Sequence, residues 1–578
     1  MKKLITLFIA VLVTLSAYSQ GNSGMSLEQK QILDGSWYKE SPESGKIGID
    51  LQGAKDLLKK RKMKKVPVVA LIGTGADIEH EALKNSVWVN PKEKADGKDN
   101  DNNGYADDIN GWNFIGSKDG SSMEFGIQEA NREWLRLKDK YADILFDGKR
   151  YFKYENGVRV YIAAPEDIEE FNYFTKIIRE RDGSLSGLYG GYIIAFLVKE
   201  YTQEWDKEIQ LKFPGKTRKE ITSDEFFAAV YDKNGPQDSL KNIALTLVSL
   251  YSSFGKTMRN NPNYVTTWSD IYENFTDRQI KYAKESYDKI FEKNSKDDRQ
   301  AVVGDDPYNI EDTKYGNNTV LTGASLSGTM FSGIIAGQDV NGKGFSGIIP
   351  EAKIMNLVTS AQSGDPYLKD IALAVRYAVN KGADIIVLPQ QSLLYHSVQK
   401  SWVYDAIRDA ENKGILVIAP AWEKSENMDT RAYYPRREDY KGKPMTNIMI
   451  VANSDSKGNP SPMSNYGKYN LDTYVPGVNI YSTAPGDIYR TGTSSSMGAV
   501  VTAGAAAFIK AYFPELTGSQ IRELLINSVT SKRGTEIEKS VIHNGKQITD
   551  LFLFEQLCTS SGILNLRNSV EAALKNMK

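Results

Sequence analysis

Between Asp370 and Pro420 the chain reads DIALAVRYAVNKG (370–382), ADIIVL (383–388), SWVYDAIRDAENKG (401–414) and ILVIAP (415–420). The first and third segments carry apolar residues at helical spacing. Each closes on a glycine, Gly382 or Gly414, the residue that most easily takes the left-handed turn past a helix C-terminus. The second and fourth are short runs rich in Ile and Val, which read as strands. Strands alternating with helices at this spacing predict βαβ units and a parallel sheet. Working outward, VPVVALI at 66–72 is a further buried strand, and it enters the tight turn Gly73-Thr74-Gly75. A strand at 447–451, an apolar helix from about Ser496 to Tyr512 ahead of Pro514, and a last helix from about Leu564 to Asn576 complete the pattern. The expected fold is α/β, a doubly wound and mainly parallel sheet.

The 578 residues carry 40% hydrophobic and 25% charged side chains, which excludes a disordered, collagenous or coiled-coil chain. With 72 Lys plus Arg against 73 Asp plus Glu, the net charge of -1 offers no whole-molecule field for nucleic acid or an anionic membrane. The single cysteine, Cys558, rules out an internal disulfide and any multi-cysteine metal site, and is expected to pack as a small apolar residue. Three histidines, His80, His396 and His543, leave few candidates for a general base.

Residues 1–19 place Lys2 and Lys3 before an apolar run from Leu4 to Leu15 and the small-residue stretch Ala17-Tyr18-Ser19. That is the order of a signal peptide, cleaved after Ser19, and the run is too short to span a bilayer. The expected destination is export, to a periplasmic or secreted location, with no membrane span. Residues 20–65 form an N-terminal extension. Residues 66–116 and 311–576 make the α/β domain, and 117–310 are read as a mostly helical insertion. In it, NREWLRLKDKYADIL puts Trp134, Leu137, Tyr141 and Leu145 on one helical face, and YFKYENGVRVYI looks like a hairpin turning at Asn156-Gly157.

Four ordered stretches make the chain resemble the subtilisin-like serine peptidases, the subtilase or peptidase S8 family. They are VVALIGTGADIEHEAL (68–83), SGTMFSGIIAG (327–337), the strand pair ADIIVLPQQS and ILVIAPAWEKSEN, and SSSMGAVVTAGAAAFI (494–509). The resemblance implies the family's α/β fold and, for an intact member, serine endopeptidase activity in proteolysis. Set against the family's motifs, the catalytic Asp position is Gly73, the catalytic His position is Ser327 and the oxyanion Asn position is taken as Trp422. Ser496 alone keeps its residue type, at the nucleophile position. A histidine takes the serine proton, an aspartate steadies the imidazolium, and an amide holds the developing oxyanion; Gly73, Ser327 and Trp422 do none of these. Trp422 would fill the space of the scissile carbonyl. Pro389-Gln390-Gln391 stands where the family has its substrate-edge strand, and Pro389 removes a backbone donor there. Val500 replaces a family proline.

The expectation is therefore an exported pseudoenzyme that acts by binding or scaffolding a protein or peptide partner, with a serine hydrolase that uses Ser496 and an unconventional base as the alternative. Asp77 and His80 are expected to be structural, and nothing in the spacing brings His396 or His543 to Ser496. Ser496 itself has two readings, nucleophile or helix N-cap. The acidic run from Asp99 to Asp108 spaces oxygen donors around Gly104, as calcium loops do, but Asn110 stands where such loops end in Glu. It reads either as a calcium site at Asp99, Asp101, Asn103 and Asp107 or as a solvated turn.

Overall fold

The computed structural model describes residues 27–155, 158–230, 239–258, 264–283, 285, 298–340, 342, 344–543 and 546–576. The leader at 1–19 and the hairpin turn at Asn156-Gly157 lie outside the described residues. Among the described residues one large sheet contains, in chain order, β1 (Val68–Gly73), β2 (Gly111–Asn113), β3 (Lys353–Val358), β4 (Ile385–Val387), β5 (Leu416–Pro420), β6 (Ile448–Ser454), β7 (Thr473–Pro476), β8 (Thr530–Ser531) and β9 (Gly562–Ile563). Across the sheet the order is β8-β9-β7-β6-β5-β4-β1-β3-β2. Every neighbouring pair is parallel except β8 with β9.

Alternation along the central strands feeds two cores. Ala70, Ile72, Ile386, Val417 and Ala419 face one side, under the helices Leu368–Asn380 and Ser397–Asn412. Val69, Leu71, Ile385, Val387, Leu416 and Ile418 face the other, under Leu326–Ala336, Ser495–Tyr512, Gly518–Asn527 and Leu566–Asn576. A strand with apolar residues on both faces must be covered on both, so the doubly wound arrangement follows from the sequence pattern. The described part of the N-terminal extension belongs to this second core. Trp37, Tyr38, Ile49 and Leu58 are buried in it, and the Ile49 carbonyl accepts from Leu566 N at 2.7 Å.

The insertion carries helices Glu129–Tyr141, Ile168–Lys212, Ser223–Val230, Ser239–Met258 and Trp268–Glu273, and a three-stranded antiparallel sheet whose strands Tyr151–Glu155 and Val158–Ile162 pair as the hairpin reading expects. Part of it has a core of its own. Trp205, Phe226, Val248, Trp268 and Ile271 are buried together, with Phe226 stacked on Trp268 at 4.4 Å between ring centroids. Of the expected stripe, Leu137 and Tyr141 are buried and Trp134 half-buried against the main domain's first core. Leu145 departs from it: the helix stops at Tyr141, so Leu145 falls out of helical phase into a short strand and is 43% exposed. Where the insertion returns, Arg299 is buried between Asp305 and Asp370. No helix among the described residues is long and apolar enough to cross a membrane.

Candidate active site

Gly73, Ser327 and Ser496 lie on three elements that pack against one another: the end of β1 and the first turns of Leu326–Ala336 and Ser495–Tyr512. Gly73 ends β1, and its carbonyl accepts from Thr359 N at 2.8 Å and Ser360 N at 3.0 Å. Ser327 sits in the first turn of Leu326–Ala336, and the next residue, Gly328, donates its N–H to Thr74 Oγ1 at 3.1 Å. A Cβ on Gly328 would lie 1.8 Å from the Gly75 carbonyl oxygen, so only glycine lets this helix start lean on the β1 turn. Ser496 is in the first turn of Ser495–Tyr512, and Met497 and Met330 of the two helices converge over Gly492.

The side chains at those positions are not an acid–base relay. A Cβ on Gly73 would meet no atom within 4 Å, and Ser327 is exposed. Among the described residues nothing hydrogen-bonds the half-buried Ser496 hydroxyl. The N-cap reading of Ser496 is corrected: Ser494 caps the helix, its Oγ accepting from Met497 N at 3.1 Å. Three consecutive serines each suit a cap, and the backbone turns helical one residue after Ser494.

Trp422 and Glu423 point to different surroundings. Trp422 turns its ring to Tyr433, 6.2 Å between centroids, and its carbonyl accepts from Asn465 N. The side chain that reaches the start of the Ser496 helix is Glu423, whose Oε1 accepts from Ser495 N at 2.6 Å and from Ser495 Oγ at 3.1 Å. Ser495 Oγ also lies 3.2 Å from Asn453 Oδ1. Burial raises the Glu423 carboxyl above its usual range, and the two Ser495 hydrogen bonds oppose that rise. Sequence reading missed Glu423, Ser495 and Asn453, because the segment after β5 bends and carries no periodic pattern.

The strand ends that the resemblance assigns to substrate are tied to the protein itself. Gln391 N donates to Pro420 O at 3.0 Å and Gln390 Nε2 to Ala421 O at 3.1 Å, while Ser392 and Tyr434 exchange both backbone hydrogen bonds. Among the described side chains no candidate base is hydrogen-bonded to Ser496. Asp77 accepts from Gly486 N and Glu79 N. His80 is buried with Nε2 3.1 Å from the Ile488 carbonyl and Nδ1 accepting from Ala82 N. His396 lies 3.6 Å from Glu170 of the insertion and against Tyr173, where burial lowers its pKa. His543 is in a hairpin strand opposite Lys546, and its side chain lies outside the description. Cys558 is fully buried, which pushes its thiol pKa up, as expected of a packing residue.

The acidic loop also differs from expectation. Asp99 accepts from Asn103 N and Gly104 N, and Asp107 from Asp96 N and Gly97 N, so both fold back on their own loop. Asn103 Nδ2 donates to Asp108. Of the four residues expected to hold calcium only Asp101 joins the carboxylates that converge, which are Glu93, Asp101 and Asp108. The expected set does not fit a cation.

Comparison with known proteins gives a consistent placement. The Subtilase family model matches residues 64–545. Subtilisin Savinase of Lederbergia lenta is 30% identical over 222 residues, 38% of this chain and 77% of that protein. Alkaline protease of Alkalihalobacillus alcalophilus is 30% identical over the same length, which spans about half, 54%, of that protein. A solved structure, that of the prenylagaramide maturation protease PagA, is 21% identical with a TM-score of 0.33, covering 42% of this chain and 80% of that one. Because the family model runs from just ahead of β1 to beyond the Ser496 helix, the chain belongs to the subtilase family.

Proposed function

We propose that this subtilase is proteolytically inactive and works by binding a protein or peptide partner. The observation that carries the reading is the Glu423 carboxylate on the Ser495 N–H. Acyl transfer needs a donor where the tetrahedral oxyanion forms; here an acceptor already engages the start of the nucleophile helix. The exposed Ser327 and the side-chain-free Gly73 remove proton transfer as well, and an unassisted serine hydroxyl is a weak nucleophile. The tied ends Gln391–Pro420 and Ser392–Tyr434 support the same reading, because they occupy backbone groups that an extended substrate would use. We also read residues 1–19 as an export leader, so that the mature chain begins at Gln20; N-terminal sequencing of the protein recovered outside the cytoplasm tests this.

A serine hydrolase with an unconventional base is the second reading, and its support is the contact of the Glu423 carboxylate with the Ser495 hydroxyl. That serine is buried, and the carboxylate's hydrogen bonds go to Ser495 rather than to Ser496. Labelling of the mature protein by a fluorophosphonate probe separates the two readings, since the probe reports an activated serine without reference to substrate.

A further inference from the structure

The segment from Glu93 to Asp108 gathers three carboxylates, Glu93, Asp101 and Asp108, with oxygens within 4.8 Å of one another. Two like unit charges about 4 Å apart repel by roughly 4 kcal/mol at an effective dielectric of 20, so such a cluster needs a cation among its members. One is present. Lys381, which caps the C-terminus of the Leu368–Asn380 helix, donates from Nζ to Asp101 Oδ2 and stands 3.1 Å from Asp108 Oδ2. Its side chain is only 10% exposed, so this contact is not a solvent-screened surface pair.

The other oxygens of the cluster are directed at donors. Glu93 Oε1 accepts from Asn100 N at 2.8 Å and Asp101 N at 3.0 Å, and Oε2 from Asp107 N at 3.1 Å. Asp108 accepts from Asn90 Nδ2 at 2.6 Å, Asn103 Nδ2 at 2.7 Å and the Tyr377 hydroxyl at 2.7 Å. Asp101 Oδ2 also accepts from Asn90 Nδ2 at 3.1 Å, and only Asp101 Oδ1 is buried without a partner. A calcium ion takes six to eight oxygens, and one uncommitted oxygen is far from that set.

We propose that Lys381 is the built-in cation of this acidic loop, its ammonium standing where loops of this composition hold a divalent metal ion, so that the loop folds without metal. The inference does not rest on the inactive-protease reading. Its test compares wild type, Lys381→Met and Lys381→Arg in thermal unfolding, in chelator and in millimolar calcium, with terbium luminescence as a direct report of ion binding. Trp112 lies beside Tyr105 of the loop and serves as the sensitiser. Wild type is expected to unfold at the same temperature in both buffers and to give no terbium signal. Lys381→Met is expected to unfold several degrees lower in chelator, to recover in calcium and to gain a terbium signal. Lys381→Arg keeps the charge and is expected to match wild type, which covers the case in which the methionine variant does not fold. A calcium shift or terbium signal in wild type or in Lys381→Arg overturns the proposal, as does a Lys381→Met variant as stable in chelator as wild type.

Discussion

Glu423 Oε1 lies 2.6 Å from the backbone nitrogen of Ser495, so a carboxylate is held at the N-terminus of the 18-residue helix that carries Ser496. The helix dipole favours an anion there, yet burial still leaves the carboxyl above its ordinary range. The contact is a compromise between a favourable partner and an unfavourable surrounding.

That compromise has a sign that a stability–pH curve reads. A carboxyl whose folded pKa lies above its unfolded value gives stability that is complete below the unfolded pKa and is lost as pH rises through the folded one. Wild type should therefore lose stability from this group as pH climbs out of the ordinary carboxylate range. Glu423→Gln keeps an oxygen to accept from Ser495 N and carries no charge. It is expected to melt above wild type at neutral pH, with the gap closing as pH falls to about 4, near the reference Glu value. Thermal melts of both proteins across that window check it; a gap of the opposite sign would contradict the burial argument.

Activity should be absent for a reason that a single substitution exposes. Wild type and Ser496→Ala are expected to give the same background signal in fluorophosphonate labelling and in prolonged incubation with casein. Labelling by wild type that disappears in Ser496→Ala would instead establish an activated serine and the hydrolase reading.

Restoring the chemistry distinguishes Glu423 from Trp422. Gly73 has room for an aspartate side chain, and Ser327 is open to a histidine, so Gly73→Asp with Ser327→His rebuilds the relay but leaves the carboxylate at the helix start. An oxyanion donor is worth roughly 10²–10³-fold in rate. Adding Glu423→Asn to that pair is expected to raise probe labelling by at least about tenfold, below that range because the strand ends stay tied. Adding Trp422→Asn instead should do nothing. Equal gains from the two third substitutions would contradict a special role for Glu423.

The contrast between those two residues shows where sequence reading holds and where it gives out. β1, β4 and β5 were legible because a strand apolar on both faces has one solution, helices above and below. The contact of the Leu326–Ala336 helix start with the β1 turn was legible because a glycine, Gly328, is needed at that close approach. The Glu423 contact with the start of the Ser496 helix was not, since the segment after β5 has no periodic marker. Nor was the cap legible within Ser494-Ser495-Ser496, where only the backbone angles choose. In the acidic loop the composition announced oxygen donors but not where their lone pairs point, and the ammonium that meets them comes from 280 residues away.

The seam between the insertion and the main domain should be one of the least tolerant places in the molecule. Arg299, only 1% exposed, binds Asp305 through Nε at 2.7 Å and Asp370 through Nη1 at 2.6 Å. Fully buried Lys369 donates to Asp305 Oδ2 at 2.7 Å, and the Tyr315 hydroxyl to Asp370 Oδ1 at 2.6 Å. Lys369 also lies 3.7 Å from the half-buried Asp312, so the two cations stand among three carboxylates. Removing the guanidinium leaves two buried carboxylates sharing one ammonium, and breaking a buried pair from one side costs about 3–5 kcal/mol. Arg299→Met is expected to destabilise by that amount in urea unfolding. Asp370→Asn added to it removes the stranded charge, so the double variant should be more stable than the sum of the two single losses predicts. Additive losses would mean that Arg299 acts by packing alone.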